Sequence, residues 1–236
     1  MTEAVFRIDP YQRTVESIVT GSEGGMIELE RTVFYPTGGG QPGDTGRLIL
    51  ADRALEVVDT RKGGEPGSIL HVLAEPAVLS MGTPVQAELD WDRRHRLMRM
   101  HTCLHLLCKA VDGVVTGGQI GDGKGRLDFD IPEAVLDKEV LTERLNAWIA
   151  EDHAVTERWI EAAELDARPE LVKTMSVQPP RTGGRIRLVE IEGLDLQACG
   201  GTHVRSTGEI GRVSVAKIEK KGRQNRRVQV VFDEPG

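Results

Sequence analysis

Twelve residues, YPTGGGQPGDTG from Tyr35 to Gly46, contain five glycines and two prolines. No α-helix survives that composition, because proline removes a backbone donor and clashes with the preceding turn, and each glycine costs about 1 kcal/mol of helix propensity. The N-terminal part of the chain is therefore cut into short pieces. The flanking runs RTVFY, GRLILA, ALEVVDTR and SILHVL are rich in β-branched and aliphatic residues and are separated by Gly, Pro and Asp turn signals, which predicts strands. The first 90 residues read as an all-β module, a small barrel or a sandwich.

The pattern changes at Trp91. In RRHRLMRMHTCLHLLCKAV, Leu97, Met100, Leu104 and Leu107 recur at three- and four-residue spacings, which predicts an amphipathic helix ending before Gly113. A short strand is expected at Leu127–Ile131. A second helix is expected from Pro132, with Leu136, Val140, Leu141, Leu145, Trp148 and Ile149 on one side. PPRTGGR reads as a loop, RIRLVEIEG as a buried strand, and GRVSVAKIEKKGRQNRRVQVVFD as a hairpin turning near Gly222–Asn225. The expected fold class is α+β, with residues 1–90 as the β module and residues 91–236 as an α+β module.

The second module carries the chemistry. His101 and His105 lie four apart on the first helix, so both imidazoles share one face. The glutamate of an HExxH motif is absent, and Thr102 stands in its place. Alone, the pair says little, since most histidines are not ligands. Residues 199–203, CGGTH, add Cys199 and His203, completing the three-imidazole, one-thiolate set that tetrahedral zinc accepts. Gly200 and Gly201 allow the turn that would bring both side chains to one point. Cys103 is only two residues from each helical histidine and points elsewhere; it and Cys108 read as small buried residues.

Composition narrows the class further. No run approaches the ~20 apolar residues of a membrane helix, and the N-terminus has no signal-peptide pattern, so a cytoplasmic protein is expected. Three cysteines do not make a disulfide framework. A net charge of -7 argues against a chain that coats nucleic acid over its whole surface. The charge is segregated, however: Val204–Val228 holds eight Lys or Arg against two acids, and residues 137–170 hold ten acids against four bases.

RMHTCLHLL, then a distant CGGTH preceded by RLVEIEG and followed by TGEIG, resembles the editing module of alanyl-tRNA synthetase, and more closely the free-standing AlaX proteins. FYPTGGGQPGDTG is similar to the glycine-rich motif of the longer AlaX-M type, and TGGQIGDGKGRLDFD to the stretch after its first histidine pair. The resemblance covers about residues 30 to 215, with its motifs in the same order. It implies an N-terminal small β-barrel followed by a two-layer α+β editing domain with a zinc site. It also implies a trans-editing hydrolase that needs no ATP and removes serine from mischarged tRNA(Ala), with glycine as a second candidate. The chain has no room for an aminoacylation core.

Carried onto this sequence, the resemblance puts one zinc ion on His101, His105, Cys199 and His203. It puts seryl-ester selection on Gly38, Gly39 and Gly40, and a pocket glutamine at Gln119. Thr37 and Thr116 join Gln119 as candidate partners of a serine hydroxyl, because a site that hydrogen-bonds a hydroxyl rejects the analogue lacking it. Asp128 departs from the synthetase pattern, which has Arg there, and takes no role. The expected partner is the acceptor end of tRNA(Ala), with no membrane and no obligate protein partner. Its phosphates would meet Arg93, Arg94, Arg96, Arg99, Lys220, Lys221, Arg223, Arg226 and Arg227. Two other readings stand beside this one: a deacylase of another aminoacyl ester, and a non-catalytic tRNA-binding module in which zinc only holds the fold.

Overall fold

The computed structural model describes residues 1–131, 136–168, 171–173, 184–222 and 224–233. Their contacts divide into two units, Met1–His95 and Arg96–Gly236.

In the first unit the strands are β1 (Glu3–Ala4), β2 (Thr14–Glu23), β3 (Met26–Leu29), β4 (Arg31–Thr32), β5 (Gly46–Ile49), β6 (Ala54–Lys62), β7 (Ile69–Leu73) and β8 (Pro84–Leu89). Six of them close into an antiparallel barrel in the order β2-β3-β7-β6-β5-β8, and β1 pairs with β4 in parallel outside it. The period-two pattern explains the closure: in β2, Val15, Ser17 and Val19 are buried while Glu16, Ile18 and Thr20 face outward. Ile27, Leu29, Leu48, Val57, Leu73, Val85 and Leu89 fill the interior from the other strands.

The glycine-rich stretch is a fixed loop. Gly38 and Gln41 exchange two backbone hydrogen bonds of 3.0 Å, and the residues between them, Gly39 and Gly40, have φ of 60° and 82°. Positive φ at both central positions marks a type I′ turn, which glycine enters without steric cost. Tyr35 Oη donates to Gly38 O, Tyr35 N donates to Asp44 Oδ2, and Thr37 N donates to Thr60 O on β6. The base of the loop is held by Arg94. Its guanidinium donates to both carboxylate oxygens of Asp44, to Val33 O and to Pro10 O, with no side-chain exposure. The sequence expectation of a phosphate contact at Arg94 is thereby corrected, because this cation is enclosed and its donors are committed.

The second unit begins within α1 (Trp91–Ala110) and continues with β9 (Val114–Gly121), β10 (Lys124–Asp130), α2 (Lys138–Ala150), β11 (Val155–Glu161), α3 (Ala162–Ala167), β12 (Arg185–Ile191), β13 (Asp195–Ala198), β14 (Val213–Lys220) and β15 (Asn225–Phe232). Two sheets result, β14-β15-β10-β9 and β11-β12-β13, both antiparallel. α1 is not amphipathic as expected; every residue from Leu97 to Cys108 is buried. It approaches the larger sheet at Gly125, where a Cβ would stand 2.8 Å from Met100 Sδ. α2 starts later than the sequence suggests, with Asp137 capping Val140 N, and buries Leu141, Leu145 and Ile149. Pro132, where that helix was expected to open, lies outside the described residues. So do most of PPRTGGR and Arg223 at the expected hairpin turn. Val140 is exposed, and β9 and β11 were not anticipated.

One buried group makes barrel stability depend on pH. His71 on β7 lies between Ile27 O, 2.9 Å from Nδ1, and Thr32 Oγ1, 2.8 Å from Nε2. Burial lowers its pKa to about 4, and the Ile27 bond opposes this only partly. The fold therefore favours neutral His71, so its contribution is intact above the unfolded pKa near 6.5 and is lost as pH falls toward 4. Urea unfolding should show a stability about 2 kcal/mol lower at pH 5 than at pH 7.5 from this group. His71→Gln should shrink that difference; an unchanged pH dependence would refute the assignment.

Candidate metal centre

His101, His105, Cys199 and His203 offer ligand atoms that all lie within 4.8 Å of one another. α1 supplies the first two one helical turn apart, with ring centroids 5.3 Å apart. The other two come from the segment after β13, and the rings of His101 and His203 approach to 4.2 Å. Cys199 Sγ is 3.5 Å from His101 Nε2 and 3.3 Å from His203 Nε2. All three imidazoles are buried and the cysteine partly so. This set could hold a metal ion.

The turn carrying Cys199 and His203 is held from behind by Arg187 on β12, a buried residue that sequence reasoning passed over. Its Nη1 donates to Cys199 O (2.9 Å) and Gly201 O (2.8 Å), and its Nε donates to Glu157 Oε2 (2.7 Å). Cys199 N donates back to Arg187 O. Among the described residues with positive φ, Gly200 and Gly201 do not appear. The guanidinium, rather than left-handed glycine backbone, therefore sets the turn.

The electrostatics favour a thiolate. Burial pushes the Cys199 thiol up, but the positive charge and hydrogen bonding of the surrounding histidines outweigh it and hold the thiol well below its usual value. Burial and the neighbouring imidazole of His101 push His203 well below the usual histidine range. At His105, burial is outweighed by Asp195 and Cys199, which raise its pKa to about 9. Asp195 itself is held at about 2 against the effect of burial, by His105 and Lys173. Cys103 and Cys108 are buried thiols with pKa values pushed up to about 12 and about 11; they are inert.

The remaining sequence-predicted residues are distributed more widely. Thr37 Oγ1 donates to Thr60 O and accepts from Gly43 N, while Thr116 Oγ1 donates to Asp128 O and accepts from Asn225 Nδ2. Both hydroxyl protons are committed to backbone carbonyls. Gln119 Oε1 accepts from Arg126 Nε and Nη2. Among the expected phosphate contacts, Arg99 is buried with Nε and Nη2 on Ile210 O and its guanidinium 4.4 Å from the Phe232 ring centre. That enclosure corrects the expectation there as it does at Arg94. Arg227 is bound twice to Asp128, Arg96 to Asp122, and Arg93 to Gly43 O. Lys220 and Lys221 are exposed beside Arg226 at the end of the β14–β15 hairpin.

A barrel unit followed by a unit with a buried His/Cys cluster defines the class, and two family models match it. One, described as threonyl and alanyl tRNA synthetase second additional domain, matches residues 186–229; the other, tRNA synthetases class II (A), matches residues 1–93. The alanyl-tRNA editing protein AlaX-M of Methanosarcina mazei is 36% identical over 97% of this chain and 95% of its own length. The AlaX-M of Saccharolobus solfataricus is 35% identical over 97% and 98%. The alanine–tRNA ligase of Saccharolobus islandicus is 34% identical over 93% of this chain but only 25% of the ligase. The chain belongs to the AlaX-M family of alanyl-tRNA editing proteins.

Replacing Arg187 with Met should leave two carbonyls of the turn without donors and Glu157 without its partner, costing about 3 kcal/mol. Metal content should fall with it. Lys at 187 should not rescue, because one ammonium cannot span four acceptors as a planar fork does. Denaturation midpoints and metal analysis of the two variants check this.

Proposed function

We propose that this chain is an aminoacyl-tRNA hydrolase that deacylates mischarged tRNA(Ala), with serine as the principal amino acid removed, acting in the cytoplasm. The observation that carries the reading is the buried three-histidine, one-cysteine cluster in a chain that matches alanyl-tRNA editing proteins over nearly its whole length. No helix among the described residues is long and apolar enough to cross a membrane.

Zinc is the ion this donor set fits best. With bonds of about 2.0–2.1 Å to nitrogen and 2.3 Å to sulfur at the tetrahedral angle, N and S should lie about 3.5 Å apart; Cys199 Sγ stands 3.5 Å from His101 Nε2 and 3.3 Å from His203 Nε2. When bound, zinc would supply Lewis acidity toward an ester carbonyl. The protein's own part is to hold Cys199 as a thiolate and to keep the three imidazoles converged on one point. Selection of the seryl ester is assigned to the glycine-rich turn at Gly38–Gly40, as the resemblance implies. Thr116 would meet a serine hydroxyl as an acceptor, since its proton is spent on a carbonyl; in the first unit, Thr37 has its proton spent in the same way. Gln119 would meet the serine hydroxyl through its amide N–H2, its oxygen being held by Arg126. Phosphate contact is assigned to Lys220, Lys221 and Arg226.

Incubating the protein with Ser-, Gly- and Ala-charged tRNA(Ala) and following loss of each ester tests the reading. The seryl ester should disappear fastest and the alanyl ester should persist; survival of all three esters would reject a deacylase. Cys199→Ala should abolish the activity while the chain stays folded. Four protein donors also describe a closed structural site, so activity that persists after the metal is removed would assign the ion to the fold instead.

Binding should weaken with salt. Replacing both Lys220 and Lys221 with Ala should reduce the slope of log affinity against log salt by about 1 to 2. A slope identical to that of the unmodified protein would remove these two from the tRNA contact.

A further inference from the structure

Two buried side chains that no resemblance assigns stand behind the imidazoles. Thr102 occupies the place in HTCLH where a metalloprotease-type motif would carry its glutamate. It has no exposed surface. Its Oγ1 lies 3.1 Å from Met98 O, 3.3 Å from Val204 N and 3.1 Å from His203 Nδ1. A hydroxyl has one proton and two lone pairs. Met98 O can only accept, so the proton goes there, and the lone pairs receive Val204 N–H and His203 Nδ1–H. His203 is thereby left with a bare Nε2, the atom that faces Cys199 Sγ at 3.3 Å.

Asp195 plays the corresponding part for His105. Its side chain has no exposure, and Oδ2 stands 3.3 Å from His105 Nδ1 as an ion pair, without the alignment of a hydrogen bond. The same carboxylate receives Gln197 Nε2 at 2.6 Å and Lys173 Nζ on its other oxygen. An acceptor-only group held on three sides cannot turn away from the ring, so Nδ1 keeps a proton toward it and Nε2 is the nitrogen left to take an ion. Each acceptor sits on the element opposite the ligand it serves: Thr102 lies between His101 and His105 on α1 and serves His203, and Asp195 opens the strand that runs to Cys199 and serves His105.

We propose that Thr102 and Asp195 are positioning residues of the metal centre: each offers a buried acceptor to Nδ1 of one imidazole, His203 and His105 respectively, and so fixes the tautomer that presents Nε2 to the ion. Outer partners of this kind orient a ligand and raise its basicity, and their loss commonly costs 10- to 100-fold in metal affinity. The proposal rests on the reading of the cluster as a metal site, and the test separates the two.

Zinc alone is the first probe. Competition against a chromophoric chelator should show about one ion bound per unmodified chain; if none binds, the metal reading fails before the positioning claim is reached. In the zinc-loaded protein, 15N correlation spectra of the histidine rings should show His105 and His203 protonated at Nδ1 and ligated through Nε2. Ligation of either ring through Nδ1 would overturn the proposal for that ring, and this measurement needs no variant. Thr102→Val should then weaken zinc binding 10- to 100-fold and Thr102→Ser should restore most of it, because serine keeps the hydroxyl. Asp195→Leu should weaken binding to the same extent and Asp195→Asn should recover part of it through the amide oxygen. Affinities within twofold of the unmodified protein in Thr102→Val and Asp195→Leu would equally overturn it.

Discussion

The arrangement around Cys199 depends on one guanidinium. The segment from Cys199 to His203 belongs to no helix or strand, so its carbonyls have no ladder to join, and a buried backbone polar group without a partner is costly. Arg187 answers that need by giving one nitrogen to Cys199 O and Gly201 O while its other nitrogens face Glu157. The charge is not left uncompensated, and the turn cannot open without breaking a charge-assisted network. Breaking a buried pair of this kind leaves an uncompensated charge and is strongly destabilising, so the pair holds one conformation. Here the conformation fixed is the one that puts sulfur and imidazole 3.3 Å apart.

The first unit solves the same problem in the same way. Its glycine-rich loop also lacks regular structure, and its base is held by Arg94 through Asp44 and two carbonyls. In each unit a loop that the functional reading uses is therefore gripped by an arginine fork whose partners come from distant sequence. Lysine could not do this, since a single ammonium has no planar set of donors to share among a carboxylate and several carbonyls. Glycine supplies the turn at Gly39 and Gly40, and arginine supplies its permanence.

That division explains what could be read from the sequence. Helical spacing made His101 and His105 visible as a pair, and CGGTH made Cys199 and His203 visible as another, because both signals are local. The β-rich first unit was legible from short apolar runs bounded by Gly and Pro. β9 carries little strand signal of its own, since VVTGGQIG holds three glycines; its place in the sheet comes from pairing with β10, a tertiary effect that overrides propensity. The spacing of Leu97, Met100, Leu104 and Leu107 shows only one buried face of α1; the other face is buried too, Arg99 included, with its guanidinium on a carbonyl 111 residues away. The partner that encloses Arg94 is remote in the same way: Asp44 lies 50 residues distant. Thr102 and Asp195 carry no signal of their own, since a threonine and an aspartate become acceptors for an imidazole only once the fold brings them to it.

The same limit governs the basic segment. Counted along the chain, Val204–Val228 has six more positive than negative charges, and a linear count suggests a broad cationic face. The sheet places Asp128 on the neighbouring strand directly opposite Arg227, where two hydrogen bonds join them, and Arg126 closes on the same carboxylate. Across the hairpin, Glu219 pairs in register with Arg227 and takes Lys217 and Lys221 as ion-pair partners. Cations and anions thus alternate over this face as Lys217, Glu219, Arg227, Asp128 and Arg126. Opposite charges a few ångströms apart cancel beyond a Debye length of about 8 Å, so this part of the sheet projects little field. Lys220 stands outside that ladder at the end of β14, which concentrates the positive potential at the hairpin end. A phosphate would meet an edge rather than a plane.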